Sequence, residues 1–374
     1  MKSKKLSRFS MNILVTGAYG FLGKHISLRL EESGHNVIKY GRLDGDLDVK
    51  VKKSEFIFHL AGINRTDDES EFSRVNVGLT QQIIDEILKT KKEIPIVFAS
   101  SYQALQEKPY GISKKQAEDV LIDYHKKTSN PVYIYRLPGI FGKWSKPYYN
   151  TVVATFIDQV LSGKPLTIHD PNTEIEICYI DDVLDIMTYH LNWKSSEVYQ
   201  DVSLKYKLSL QELSEILQSF KALEEKKMIP DLKDAFTKKL YSTYLSFKPL
   251  DNLNQPLKVN SDERGSFTEI LKQPGFGQVS VNVSKPGIEK GHHYHHHKHE
   301  KFLVVSGYGE VTLRSLLSDE TVTYQVSEEK HEVIDIPPGF VHSIKNTGNK
   351  DLVTLMWANE IFDKEKPDTY PKKV

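Results

Sequence analysis

The sequence predicts two folded units: an α/β unit built on a doubly wound parallel sheet of the Rossmann type, then a smaller all-β unit. Three observations carry this. From residue 12 to about 136, short apolar runs alternate strictly with longer amphipathic stretches, the pattern of a parallel sheet covered by helices. A glycine triplet, Gly17, Gly20 and Gly23, directly follows the first of those runs. After residue 257 the texture changes to short β-branched runs separated by Gly, Pro and polar turns, as in a sandwich or small barrel.

The elements follow in order. NILVT (12–16), NVIKY (36–40), EFIFHL (55–60), IPIVFAS (94–100) and PVYIYR (131–136) read as buried strands. Residues 21–33, 69–89 and 114–126 read as the intervening helices, and 152–161, 181–191 and 209–220 as further helices. A polar, lysine-rich stretch leads to PLDNLNQPL (249–257), which reads as a linker. GQVSVNV, KFLVVSG, GEVTLRS, TVTYQV, EVIDIP and LVTLMW are the later strands. The expected organisation is a disordered basic tail over 1–10, an α/β domain over 11–248 and an all-β domain over 249–374.

The composition excludes several classes. The 374 residues carry 50 Lys plus Arg against 50 Asp plus Glu, a formal net charge of zero that offers nothing to nucleic acid or a membrane surface. The single cysteine, Cys178, excludes an internal disulfide framework. No run approaches the roughly 18 to 20 apolar residues needed to span a bilayer. Lys2, Lys4, Lys5 and Arg8 precede MNILVTGAYG, which is too polar and glycine-rich for a signal core. Cytoplasmic residence is the expectation.

Strand NILVT runs into GAYGFLG. Glycines at this spacing permit a tight turn, close approach of the backbone to a pyrophosphate, and close packing of helix on strand, with the helix N-terminus facing the phosphates. Gly17, Tyr19, Gly20, Phe21 and Leu22 are the candidate phosphate-loop contacts. An acid at the end of the second strand takes the ribose 2′-hydroxyl in NAD binders. Here that strand ends Lys39-Tyr40-Gly41-Arg42, with no acid until Asp44. Arg42 can pair a 2′-phosphate, which favours NADP(H) over NAD. Asp46 and Leu47 are candidates for the adenine pocket, and Leu60, Ala61 and Gly62 of HLAG for the loop beside the cofactor.

YGISK puts Tyr110 and Lys114 four residues apart, on one face of a helix. A tyrosine at its usual pKa of about 10 is a poor base at neutral pH. An adjacent ammonium stabilises the phenolate, and lowering the pKa by three units takes about 4 kcal/mol. Ser100 and Ser101 end the preceding strand, where a hydroxyl can reach a substrate oxygen. TGAYGFLG, HLAG, ASS, YGISK and YIDDV together resemble the extended short-chain dehydrogenase/reductase family over about residues 12–247. The resemblance implies that Ser101, Tyr110 and Lys114 act on a carbonyl or alcohol beside a nicotinamide, usually on a nucleotide-linked sugar. Many members carry Asn where this chain has Gly139, so Lys143 and Asn150 of the following loop are the substrate candidates.

Six histidines fall between 292 and 299. Gly287, His293, His295, Glu300 and Gly307 space as G-x5-H-x-H-x4-E-x6-G; Pro337, Gly339, His342 and Asn346 space as P-x-G-x2-H-x3-N. This is the two-part motif of the cupins, which the C-terminal unit resembles, and the fold expected there is a cupin barrel. On a strand His293 and His295 share a face, Glu300 comes from the next strand, and His342 closes the site. Three imidazoles and a carboxylate suit Zn, Ni, Fe or Mn, in a catalytic or a structural role. The extra histidines 292, 296, 297 and 299 are expected outside the ligand set. DERGSFTE and KGHHYHH also resemble the dTDP-4-keto-6-deoxysugar 3,5-epimerases, where the residue matching His293 is a catalytic base and no metal is used. His293 is therefore ligand or base; His295, Glu300 and His342 favour the ligand, which leaves the base unassigned.

A 4-ketone acidifies the sugar hydrogens at C3 and C5, so an epimerase joined to a ketone reductase forms two consecutive steps. YRLPGIFGKWSKPYYN, LYSTYLSF, ERGSFTE, EKFLVVSG and MWANEIFDKEKPDTY extend the resemblance, over residues 12–374, to bifunctional enzymes of bacterial capsular polysaccharide synthesis. That implies C3 epimerisation of a UDP-linked 2-acetamido-2,6-dideoxy-4-hexulose on a zinc-binding cupin. C4 reduction with NADPH to UDP-N-acetyl-L-pneumosamine (the L-talose form) then follows, on the route to UDP-N-acetyl-L-fucosamine, in a homodimer. The rival enzyme class is an NAD-retaining epimerase or dehydratase with an accessory, dimerising cupin.

Overall fold

The computed structural model describes residues 10–374; the basic residues Lys2, Lys4, Lys5 and Arg8 lie outside the described part. The chain divides into two compact units, one running to residue 215 and including 242–247, the other made of 216–241 and 248–374.

In the first unit β1 (Asn12–Thr16), β2 (Asn36–Tyr40), β3 (Phe56–His59), β4 (Ile96–Ser101), β5 (Val132–Leu137) and β8 (Tyr199–Gln200) form one sheet in the order β2-β1-β3-β4-β5-β8. Every pairing in it is parallel. Ile13, Leu14 and Val15 are all fully buried, as a parallel strand covered on both faces requires. Successive residues feed opposite cores. Ile13, Val15, Phe58 and Tyr133 pack on one side with Ile26 of α1 (Phe21–Glu32), while Leu14, Ile57, Phe98 and Ile134 pack on the other. That second side is covered by Ile83 and Ile87 of α4 (Gly78–Thr90) and Leu121 of α5 (Pro109–Thr128). The chain turns from β1 to β2 on one side and later places β3 on the other. This makes the β1/β3 carboxyl edge the switch point where such sheets bind ligands.

The expected helix over 69–89 is interrupted. α3 (Ser70–Phe72) leads into a π-helical turn, Ser73–Val77, before α4 begins. The helix expected from residue 114 begins at Pro109, since proline in the first turn gives up no hydrogen bond; Tyr110 is thereby helical. A short α2 (Leu47–Lys53) and a three-stranded sheet of β6 (Gly139–Phe141), β7 (Glu174–Tyr179) and β9 (Tyr206–Ser209) complete what the apolar pattern did not announce. Helices α6 (Val152–Leu161), α7 (Ile180–Thr188) and α8 (Leu210–Glu225) lie where helices are expected. α9 (Ala235–Ser246) occupies the lysine-rich stretch, where buried Leu240 and Tyr244 stand one turn apart.

The second unit is antiparallel. One sheet orders β10 (Val259–Asp262), β11 (Gly265–Gln273), β12 (Gly277–Ser284), β19 (Leu352–Ala358), β14 (Glu300–Ser306) and β17 (Val333–Ile336) side by side. The other orders β16 (Thr321–Ser327), β15 (Tyr308–Ser315), β18 (Phe340–Asn346), β13 (Glu289–Tyr294) and β20 (Tyr370–Pro371). Burial alternates along β12 and β15, and Phe302, Val304, Val311, Ile336 and Ile344 form the core. Among the described residues no helix is long and apolar enough to cross a membrane.

Candidate functional sites

Two clusters of chemistry-bearing side chains are built, one in each unit. The first begins at the β1/β3 edge. Gly17 has φ of +68°, and a Cβ there would stand 2.8 Å from the Ala61 backbone. Leu60 and Ala61 thus run against the loop at van der Waals distance. A Cβ on Gly23 would stand 2.0 Å from the Gly17 carbonyl oxygen, which sets the close approach of α1 to its loop. Gly20 caps α1 without a side chain, leaving first-turn N–H groups for an anion. The Tyr19 ring lies over Gly41, whose Cβ would be 2.5 Å from it, while Phe21 and Leu22 pack against the core. Arg42 is exposed, its guanidinium 3.8 Å from the Glu71 carboxylate. Asp44 turns back, accepting from the Gly41 N–H at 3.0 Å and from Lys50 at 3.3 Å. Asp46 caps α2 in the left-handed region and Leu47 opens that helix against the core.

A buried hydrogen-bonded chain backs this edge. His59 is fixed between the Thr16 and Thr80 hydroxyls at 2.7 and 2.9 Å. Because Thr80 donates to the Asn76 carbonyl, its oxygen must accept from Nε2–H of His59, which leaves Nδ1 to accept from Thr16. Burial, with the nearby Lys114 charge, pushes His59 down to about 3, so it is a neutral strut.

β4 and α5 supply the reactive set. Ser101 ends β4 with its hydroxyl near that of Tyr110 in the first turn of α5. Lys114, one turn on, is buried; its Nζ donates to the Ala99 carbonyl at 2.7 Å and sits 4.1 Å over the Phe98 ring. Burial pulls Lys114 down to about 7 against the opposing charge of Glu118. Tyr110 moves the other way: burial raises it, and the nearby Ser101 hydroxyl only partly offsets this. The surroundings of this phenol therefore hold it protonated, contrary to the expectation of a stabilised phenolate. Ser100 is unavailable for substrate, since its hydroxyl donates to the buried Glu118 carboxylate, which also takes Arg136 and the Tyr199 hydroxyl. Lys143 pairs with Asp181 at 3.2 Å, and Asn150 stands at φ of +52° in the exposed loop after β6.

In the second unit His293, His295, Glu300 and His342 each bring one ligand atom within 4.8 Å of the others. His293 and His342 lie directly opposite on β13 and β18, where a register shift after Gly291, with His292 at φ of +57°, re-aims the strand. His295 lies just past β13, and its Nδ1 donates at 2.6 Å to the Asp368 carbonyl, turning Nε2 inward. Glu300 opens β14, its Oε2 at 3.5 Å from His295 Nε2 and 3.3 Å from His342 Nε2. Those three atoms are buried without a hydrogen-bond partner. Buried polar atoms are rarely left so, and three converging on one point fit a divalent cation. Burial, with the His342 charge, brings His293 down to about 4, the neutral form a ligand needs. For Glu300, burial alone would raise the pKa, but the adjacent imidazoles of His295 and His342 hold it well below the carboxylate range. His296 packs on Tyr370, His297 pairs with Glu360 and Asp368, and His299 packs on Trp357, all outside the cluster.

Three buried groups escape the motifs. Asn76, in the π turn, bonds both backbone groups of Ile63 and the Ser113 hydroxyl, shaping the loop after β3; its partners are too far along the chain to signal themselves. Asp368 accepts from the backbone N–H groups of His296, His297 and Lys298, some 70 residues away. Glu118 was within reach: it follows Tyr110 and Lys114 at helical spacing.

Two known families match the chain in succession. The NAD dependent epimerase/dehydratase family matches residues 13–203, and the polysaccharide biosynthesis C-terminal domain matches 260–370. A UDP-2-acetamido-2,6-beta-L-arabino-hexul-4-ose reductase of Pseudomonas aeruginosa is 39% identical, over 96% of this chain and 98% of the relative. The crystal structure of the capsular polysaccharide assembling protein CapF from Staphylococcus aureus superposes with a TM-score of 0.90 at 43% identity, covering 97% of this chain and all of that one. A UDP-glucose 4-epimerase of Thermotoga maritima, at 18% identity and a TM-score of 0.55 over 63% of this chain, shares the fold. With half its length matched by one family and a CapF relative along almost all of it, the chain belongs to the NAD dependent epimerase/dehydratase family and, within it, to the CapF proteins that carry a polysaccharide biosynthesis C-terminal domain.

Proposed function

We propose that the chain is a bifunctional nucleotide-sugar enzyme of capsule synthesis. Residues 249–374 epimerise C3 of a UDP-linked 2-acetamido-2,6-dideoxy-4-hexulose, and residues 11–248 reduce its C4 ketone with NADPH. The product is UDP-N-acetyl-L-pneumosamine, on the way to UDP-N-acetyl-L-fucosamine. The observation that carries the reading is the Ser101–Tyr110 pair one helical turn from buried Lys114, on a chain 39% identical to a named 4-hexulose reductase.

Tyr110 is protonated at neutral pH, and carbonyl reduction needs an acid at the oxygen. When bound, the nicotinamide supplies hydride to C4. Ser101 holds the C4 oxygen by hydrogen bond, Tyr110 gives it a proton, and Lys114 opposes the negative charge then left on the phenol oxygen. Gly17, Gly20 and the start of α1 receive the pyrophosphate, and Ala61 and Gly62 close against it. NADP(H) is favoured over NAD because Asp44 is folded back on Gly41 and Lys50 while Arg42 is exposed. Lys143 and Asn150 are assigned to the nucleotide sugar.

The C-terminal unit is read as a cupin barrel holding Zn²⁺ through His293, His295, Glu300 and His342, a set that suits zinc. When bound, the metal supplies Lewis-acid polarisation of the 4-keto oxygen. The active form is a cytoplasmic homodimer. The test is NMR of the 4-keto sugar in deuterated buffer. Tyr110→Phe should abolish NADPH oxidation and leave deuterium entry at C3, and chelation should stop that entry. Turnover by Tyr110→Phe would sink the reductase assignment, and exchange indifferent to chelation would sink the metal-assisted epimerase.

A further inference from the structure

Epimerisation at C3 requires a group that takes the C3 proton, and a side chain whose lone pair is committed to a metal cannot be that group. A cavity of about 150 Å³ opens beside the histidine cluster, lined by Phe267, Asn282, Lys290, His293, Phe302 and His342 among others. Three of its lining groups can accept a proton: His293, His342 and Lys290. The two histidines belong to the four-ligand cluster, which leaves Lys290. Its amine is positioned rather than loose. Nζ donates to the Asn282 Oδ1 at 3.0 Å and to the Val283 carbonyl at 2.8 Å, both on β12. Asn282 is oriented in turn by donating its amide to Ser284 at 3.2 Å. Half-burial favours the neutral amine, lowering the lysine below its usual range, and buried lysines serve as general bases.

We infer that Lys290 is the catalytic base of the C-terminal unit, removing the proton from C3 of a 4-keto sugar seated in this cavity. The inference rests on the reading of this unit as a C3 epimerase. The C3–H bond breaks, the proton passes to Nζ of Lys290, and the electron pair moves through the new C3–C4 double bond to the carbonyl oxygen. Water then supplies a proton to the opposite face of C3 as the carbonyl re-forms, and Lys290 returns its proton to solvent. No redox partner is needed.

The experiment follows deuterium entry at C3 of the UDP-linked 4-keto-6-deoxy amino sugar, without NADPH, in the full chain and its Lys290→Gln and Lys290→Arg variants. Zinc content and the unfolding midpoint are measured alongside. Both variants should keep the metal and lose exchange by about a hundredfold or more, the scale of a general base. Arginine keeps the positive charge and the donors but cannot act as a base. Exchange by zinc-loaded Lys290→Arg within tenfold of the parent therefore overturns the assignment in favour of an anion-binding lysine. If Lys290→Gln fails to fold, Lys290→Arg decides. A parent chain that shows no exchange at C3 instead removes the epimerase reading itself, and this inference with it.

Discussion

Lys114→Met should make the N-terminal unit more stable while abolishing reduction. Lys114 is 4% exposed, and burial takes its pKa from 10.5 to about 7. The unfolded chain binds the proton more tightly than the folded one, so folding is opposed by the full difference below pH 7. The opposition fades as pH rises toward 10.5, where both states hold the neutral amine. At about 1.4 kcal/mol per unit the opposition is about 5 kcal/mol at low pH and about 4 kcal/mol at pH 7. Methionine fills a similar volume without the charge. It forfeits the bond to the Ala99 carbonyl and the contact over Phe98, together worth about 2 to 3 kcal/mol. The expected gain at pH 7 is thus about 1 to 2 kcal/mol, shrinking by about 2 kcal/mol by pH 9. Urea unfolding by tryptophan fluorescence, in a Trp357→Phe background, reads only Trp144 and Trp193 of the first unit. If Lys114→Met is less stable than its parent at pH 7, or if the gap does not shrink with pH, the burial argument is wrong.

Three further outcomes follow from the structure. Gly23→Ala places a Cβ 2.0 Å from the Gly17 carbonyl oxygen, so α1 must move off its loop. It should lower stability by about 2 kcal/mol or more and weaken NADPH binding, read by thermal melts with and without nucleotide. Gly34→Ala has φ of +85° but no atom within 4 Å, so it should cost about 1 kcal/mol and leave binding intact; equal effects of the two changes would count against the close-packing account. Stripping metal with a chelator should lower the melting temperature of the C-terminal unit by several degrees, with recovery on adding Zn²⁺, because three buried atoms lose their partner. A melt unchanged by chelation would leave those atoms unexplained.

What could be read from the sequence was what is local. The parallel strands, the glycine loop and the two histidine motifs each lie within a few residues or one repeat period, and the structure brings Ser101 to Tyr110 and gathers His293, His295, Glu300 and His342. What could not be read depends on contacts with no sequence period. The π turn that aims Asn76 at Ile63 and Ser113, the Asp368 carboxylate under His296–Lys298 and the helix α9 hidden in a lysine-rich stretch are of this kind. The protonation state of Tyr110 is the sharpest case. Four-residue spacing to Lys114 argues for a phenolate, because proximity to an ammonium is all that spacing can express. Spacing is silent on burial, and burial acts on the two groups in opposite senses: it weakens the lysine as a cation and strengthens the tyrosine as a phenol. The same helix turn therefore presents a proton donor at neutral pH. That is the form required when hydride arrives at a ketone, and the wrong form for oxidising an alcohol.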